Sequence, residues 1–104
     1  MKAFDISNME AFGYDQRSRN VFYETPEFKM RVIDLPPGGS IPLCEMASHV
    51  LFVCVEGEAF VTVDGEETTL TPARGVVTEP ATVSMRTDAG AKLLGVQITP
   101  APVV

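Results

Sequence analysis

Basic residues are scarce in this chain, with eight Lys and Arg against fourteen Asp and Glu for a formal net charge of -6. They are also scattered, at Lys2, Arg17, Arg19, Lys29, Arg31, Arg74, Arg86 and Lys92. A nucleic acid needs a clustered positive face for its phosphates, so no nucleic-acid partner is expected. Long apolar runs are missing too, and nothing approaches the length that spans a bilayer, so no membrane partner is expected. A secretion signal is also lacking, because the apolar residues after Met1-Lys2 are broken by Asp5, Asn8 and Glu10. The expected location is the cytoplasm. Cysteine is down to two, Cys44 and Cys54, which without a secretion signal are expected as free thiols rather than a structural disulfide. Histidine is down to one, His49. Internal repeats and low-complexity tracts are absent.

What is present is a chain of 104 residues with 45% hydrophobic content, the size of one domain and too apolar for a disordered acidic tail. A single domain over 1–104 is expected. Pro and Gly punctuate it at short intervals, and between the marks lie runs rich in Val, Ile, Leu, Phe and Thr, the rhythm of an all-β sandwich or barrel. Phe28-Lys29-Met30-Arg31-Val32 alternates apolar with charged, as a half-buried strand does, and Pro36-Pro37-Gly38-Gly39 stops the run. Val50 to Val55 is continuously apolar, which suits a strand covered on both faces or lying under a second subunit. Ala59-Phe60-Val61-Thr62-Val63 runs into Asp64-Gly65, a hairpin signal whose two central positions need positive φ. Strands are expected near 28–35, 40–46, 50–56, 58–64, 75–79, 83–88 and 91–99. One short helix is expected at Ser7-Asn8-Met9-Glu10, which has the spacing of a capping box.

Residues 35–98 resemble the conserved barrel of the cupin superfamily, in its small single-domain form. Leu35-Pro36-Pro37-Gly38-Gly39-Ser40-Ile41-Pro42 is similar to the opening of the first family motif, and Leu51 to Glu58 to its closing strand and turn. Leu70-Thr71-Pro72-Ala73-Arg74 and Glu79-Pro80 resemble the second motif. The resemblance implies an antiparallel jelly-roll barrel, a double-stranded β-helix, over 28–99. It also implies an N-terminal segment, 1–27, whose strands contribute to a homodimer, since Val21-Phe22-Tyr23 adds more apolar surface than a small barrel needs.

The family's metal positions, carried over by counting from Gly57 and from Leu70-Thr71-Pro72, fall on Cys44, Met46, Val50 and Ser84. Val, Ser and a thioether cannot replace imidazoles and a carboxylate around iron, manganese or nickel, so no metal cofactor is favoured. Strand alternation makes Cys44 and Met46 face the same way, and the resemblance implies that they point into the barrel with Val50, Phe52 and Cys54, and that Ser84, with Arg86 at the same parity, faces the same cavity. A cavity arginine needs a partner, either an internal carboxylate such as Glu79, Asp88 or Glu45, or the carboxylate or phosphate of a ligand. The favoured reading is a metal-free barrel that binds or senses a small organic molecule, an anion among the options. The alternative is an isomerase or dioxygenase-like enzyme whose transition metal is held by Cys44, Met46, Glu45 and His49, with copper(I) suited to the two sulfurs. Redox sensing through Cys44 and Cys54 is a third option and requires the two within disulfide range.

Overall fold

The structure, a computed structural model, describes residues 1–98. These contain the strands β1 (Val21–Glu24), β2 (Phe28–Leu35), β3 (Ser40–Met46), β4 (His49–Gly57), β5 (Ala59–Val63), β6 (Glu66–Leu70), β7 (Gly75–Thr78), β8 (Ala81–Arg86) and β9 (Ala91–Ile98). All pair antiparallel, in one sheet of order β1-β2-β9-β4-β7 and a second of order β3-β8-β5-β6. The two sheets close a jelly-roll barrel over one apolar core, in which Val61 and Leu93 are completely covered. No helix among the described residues is long and apolar enough to cross a membrane.

The strands follow the turn residues. Asp64 and Gly65 take φ of 48° and 84°, so both central positions of the β5–β6 hairpin have the positive φ that a two-residue turn requires. The Pro36–Gly39 turn closes with the Gly39 amide donating to the Pro36 carbonyl at 2.7 Å. Strands β1 and β6 add to the expected set, and the strand expected at 83–88 starts two residues earlier, directly after Pro80. The strand expected at 91–99 is described to Ile98, and position 99 lies outside the described residues.

The capping-box helix is corrected. The Ile6–Asn8 segment is a single 3-10 turn capped by Asp5, whose carboxylate accepts from the Ser7 amide at 3.1 Å and the Asn8 side-chain amide at 2.6 Å. Asp5 comes one residue before the turn and occupies the cap, so Ser7 lies inside it. This turn packs on the outer face of the first sheet against β4 and β9, and Lys92 reaches from β9 to donate to the Ser7 carbonyl at 3.1 Å. Aromatics of the N-terminal segment also find partners within the chain: Phe4 meets Phe22 at 5.0 Å between ring centroids, and Tyr23 stacks on Phe28 at 5.9 Å.

The outer face of the first sheet is unusually apolar. Met30, Val96, Leu51 and Val77 stand in one rung across four strands, and Val32, Leu94 and Val53 form the next. The continuous run in β4 therefore has apolar neighbours on both sides, as its composition suggests.

Asp64 ties the hairpin to β8, its Oδ1 accepting from the Thr82 amide and hydroxyl at 2.9 Å each. The backbone bond first, then the hydroxyl bond, holds this carboxyl below the ordinary carboxylate range. A depressed folded pKa gives stability that is present above the unfolded pKa and is lost as pH falls through the folded one. Asp64→Asn keeps the turn and one acceptor oxygen but removes the titration. Wild type is expected to lose stability relative to this variant as pH drops from neutral into the acid range. Parallel stability curves in urea titrations at each pH would count against it.

Candidate functional site

Between the sheets, at the end of the barrel where β2, β3 and β9 open, lies a cavity of about 390 Å³. Its side walls come from β3, β4 and β8. β3 carries a bulge between Ile41 and Cys44, so that Ile41, Cys44 and Met46 all turn inward although two residues, and not one, lie between the first pair. β4 contributes Val50 and Phe52, and β8 contributes Val83, which lies opposite Cys44. These walls are apolar apart from the thiol and the exposed Glu45, which borders the cavity.

The back wall is polar and is built by β2 and β9. In β2 the buried Ile33 and Leu35 fix the odd positions as inward, which brings Arg31 to the cavity wall and turns Met30 and Val32 outward. Gly95 of β9 is the residue that makes room there. It pairs with Arg31 on one side and Phe52 on the other, and a Cβ at Gly95 would stand 3.2 Å from Ile33 Cδ1 and 3.3 Å from Arg31 Cγ. The Arg31 stem thus lies across a strand with no side chain in its way. Its Nη2 reaches Gln97 Oε1 at 3.4 Å. Burial, then the neighbouring Arg17, lowers the Arg31 pKa, from a value so high that the group remains a cation at neutral pH.

The roof is the 3-10 segment Tyr14–Asn20. Asn20 is buried and holds this segment closed, its Oδ1 accepting from the Phe12 amide at 2.7 Å and its Nδ2 donating to the Phe12 carbonyl at 2.9 Å. Tyr14 hangs from the roof with its hydroxyl 3.1 Å from Cys44 Sγ, where either atom can be the donor. This bond, followed by burial, pushes the Tyr14 phenol up, so it is neutral at physiological pH. Arg17 lies over the Tyr14 ring at 4.3 Å and donates to the Tyr14 carbonyl at 3.1 Å.

Of the residues expected at the cavity, the structure brings together Cys44, Met46, Val50 and Phe52. Cys54 is inward but lies in the core, its thiol directed at the Glu56 and Gly57 carbonyls at 3.4 and 3.6 Å; burial pushes that thiol up. Ser84 and Arg86 are corrected. Pairing with β5 sets Met85 beside the fully buried Val61, so Ser84 and Arg86 share the outward face with Thr62 and Phe60. The inward positions of β8 are Val83 and Met85, and Val83 lines the cavity. Arg86 lies over the Phe60 ring at 4.2 Å and pairs with Asp88 at 3.3 Å and Glu67 at 3.6 Å.

Of the alternative metal set, Cys44, Glu45 and Met46 border the cavity and His49 does not. Val50 points inward, so His49 beside it points out, and Glu45 alternates with the inward Cys44 and Met46. Among the described residues no three His, Cys, Asp or Glu side chains converge as a metal site. The donors that do meet, a thiol and a thioether beside Val50 and Val83, do not fit a centre built on imidazole and carboxylate. Sequence reasoning missed Tyr14, Asn20, Arg31, Gly95 and Gln97. Only Arg31 left a usable signal, since its parity with Ile33 and Leu35 sets it on the core side.

No protein-family model matches the sequence, and no curated protein does. Solved structures do. A protein of Thermus thermophilus is 22% identical and superposes with a TM-score of 0.82 over 98% of this chain and 100% of its own. A cupin superfamily protein of Desulfitobacterium hafniense is 16% identical, with a TM-score of 0.72 over 77% of this chain and 74% of its own. The cupin domain of an XRE-family transcriptional regulator from Enterobacter cloacae is 23% identical, with a TM-score of 0.65 over 72% of this chain and 84% of its own. Together with the two-sheet antiparallel topology, these likenesses establish that the chain has the cupin fold.

Proposed function

We propose that this protein is a metal-free barrel that binds a small organic molecule and senses its presence. The observation that supports this best is the cavity beneath the Tyr14–Asn20 roof. It lies in the range of volumes that small-molecule sites occupy, and it combines apolar walls with a few convergent polar groups. A roof held by the side chains of Asn20 and Tyr14 is the element through which occupancy can alter the surface. A barrel of the same fold forms part of a transcriptional regulator in Enterobacter cloacae, a setting in which ligand sensing is useful.

The test uses 4-phenylbutan-1-ol, a neutral probe with a compact apolar body, followed by amide NMR. Saturable shifts centred on Tyr14, Cys44, Phe52 and Gly95 are expected, with the melting temperature unchanged by chelator. Shifts scattered over the exterior, or a stoichiometric metal whose removal by chelator lowers the melting temperature, would reject the reading.

A further inference from the structure

The cavity wall holds Arg31, a cation with no ion-pair partner among the described residues. Among the described residues the ion pairs are Lys29 with Glu24, Arg86 with Glu67 and Arg86 with Asp88, and none involves Arg31. Glu24 acts on Arg31 electrostatically, but its carboxylate is paired with Lys29 at 3.6 Å. A guanidinium offers five N–H donors in a planar fork, and the one side-chain bond to Gln97 is long at 3.4 Å. Among the described residues no buried side-chain nitrogen lacks a partner, so the remaining Arg31 donors are open to solvent and free to take a planar anion bidentately.

The remaining surroundings narrow the anion. Arg17 at the rim adds a second positive charge over the Tyr14 ring, and the Tyr14 hydroxyl adds a hydrogen-bonding group. Beyond this polar end, Ile33, Val50 and Phe52 offer hydrocarbon and Met46 a thioether, while the exposed Asp34 and Glu45 border the cavity without pairing to Arg31. A planar single charge matches the fork and leaves the rest of the ligand free to be apolar.

We infer that the cavity takes a small monocarboxylate with an apolar body, its carboxylate on Arg31 and its body against Ile33, Met46, Val50 and Phe52. The inference rests on the small-molecule reading above and names the ligand class for the same site. Gly95 is part of the arrangement, because its missing side chain lets the Arg31 stem lie flat on β9.

The experiment compares 4-phenylbutyrate with its neutral isostere 4-phenylbutanamide at neutral pH, by calorimetry on the intact protein. The acid is expected to bind about tenfold or more tightly than the amide, as charge-assisted hydrogen bonds allow. Arg31→Gln is expected to reduce the acid to the affinity of the amide while leaving the amide unchanged. Arg31→Lys keeps a charge and a packed stem but not the planar fork, so it is expected to weaken the acid alone, and it serves if the glutamine variant does not fold. Equal affinity of acid and amide in wild type overturns the ligand class and leaves the small-molecule reading standing. Acid binding that survives in both variants overturns it as well, by placing the anion elsewhere. Absence of binding by all three probes, the alcohol included, rejects the inference together with the reading beneath it.

Discussion

Gly57→Ala is expected to destabilise the barrel by about 4 kcal/mol or more, enough to remove most of the stability of a small domain. Gly57 ends β4 with φ at +77°, and a Cβ there would stand 2.1 Å from the Gly90 carbonyl oxygen and 3.0 Å from Ala91 Cα. Both obstacles are backbone, so no rotamer change relieves the clash. The pair Gly57 with Ala91 closes the β4–β9 ladder at the centre of the first sheet, and the same Gly90 carbonyl accepts from the Glu58 amide at 3.3 Å. Moving it breaks the ladder and the turn together. Gly38 supplies the control: its φ is +76°, but nothing lies within 4 Å of a Cβ. Gly38→Ala is therefore expected to cost only the conformational term, about 1 kcal/mol. Urea midpoints for the two variants decide the matter, and similar losses for both would mean that the close approach of Gly57 to Gly90 is not maintained in solution.

The second large effect is expected at the roof. Asn20→Ala removes both hydrogen bonds that close the Phe12-to-Asn20 loop and leaves the Phe12 amide and carbonyl without those partners, a cost of about 2–3 kcal/mol. The loss falls first on the loop, because the strands beneath it do not depend on Asn20. Amides of residues 13–19 are expected to exchange faster, and Tyr14 is expected to leave Cys44. A thiol reagent such as dithionitrobenzoate reads this directly, since Cys44 is partly covered and Cys54 is buried in the core. Cys44 is expected to react faster in the variant than in wild type, with Cys54 slow in both. Unchanged Cys44 reactivity would show that the roof is held by something other than Asn20. Asn20→Asp is expected to fall between them, keeping the acceptor for the Phe12 amide while setting an oxygen against the Phe12 carbonyl.

The turns were legible in the sequence because their backbone demands are local. Asp64-Gly65 and Pro36 to Gly39 need only the residues themselves, and their spacing fixes most strand positions within two residues. The cavity was legible in half. Cys44, Met46, Val50 and Phe52 follow from strand alternation together with the register of the cupin resemblance, and the β3 bulge lies just before Cys44, where it does not disturb the parity of Cys44 and Met46. Arg86 was misplaced because the facing of β8 depends on its pairing with Val61, a contact set by the whole fold. Arg31 has a signal in its parity with Ile33 and Leu35, but its immediate neighbours point the other way. Its stretch of β2 alternates cleanly, but the apolar Met30 and Val32 take the outer face and the charged residue turns to the cavity. The roles of Tyr14 and Asn20 were out of reach, since an irregular segment has no period from which a face can be read.

The two-sided apolar character of β4 bears on how the chain finds its own pairing. Slipping β4 by one residue exchanges Val50, Phe52 and Cys54 for Leu51, Val53 and Val55, a swap that costs little in hydrophobicity. The alternation that discriminates registers in most half-buried strands is therefore nearly silent here. Discrimination falls instead on shape. Gly95 accepts Phe52 and the Arg31 stem beside it, and Gly57 alone fits against Gly90 and Ala91, so a slipped pairing sets a side chain where only a hydrogen fits. In this sheet hydrophobicity drives the strands together, and two glycines choose which of the near-equivalent alignments survives.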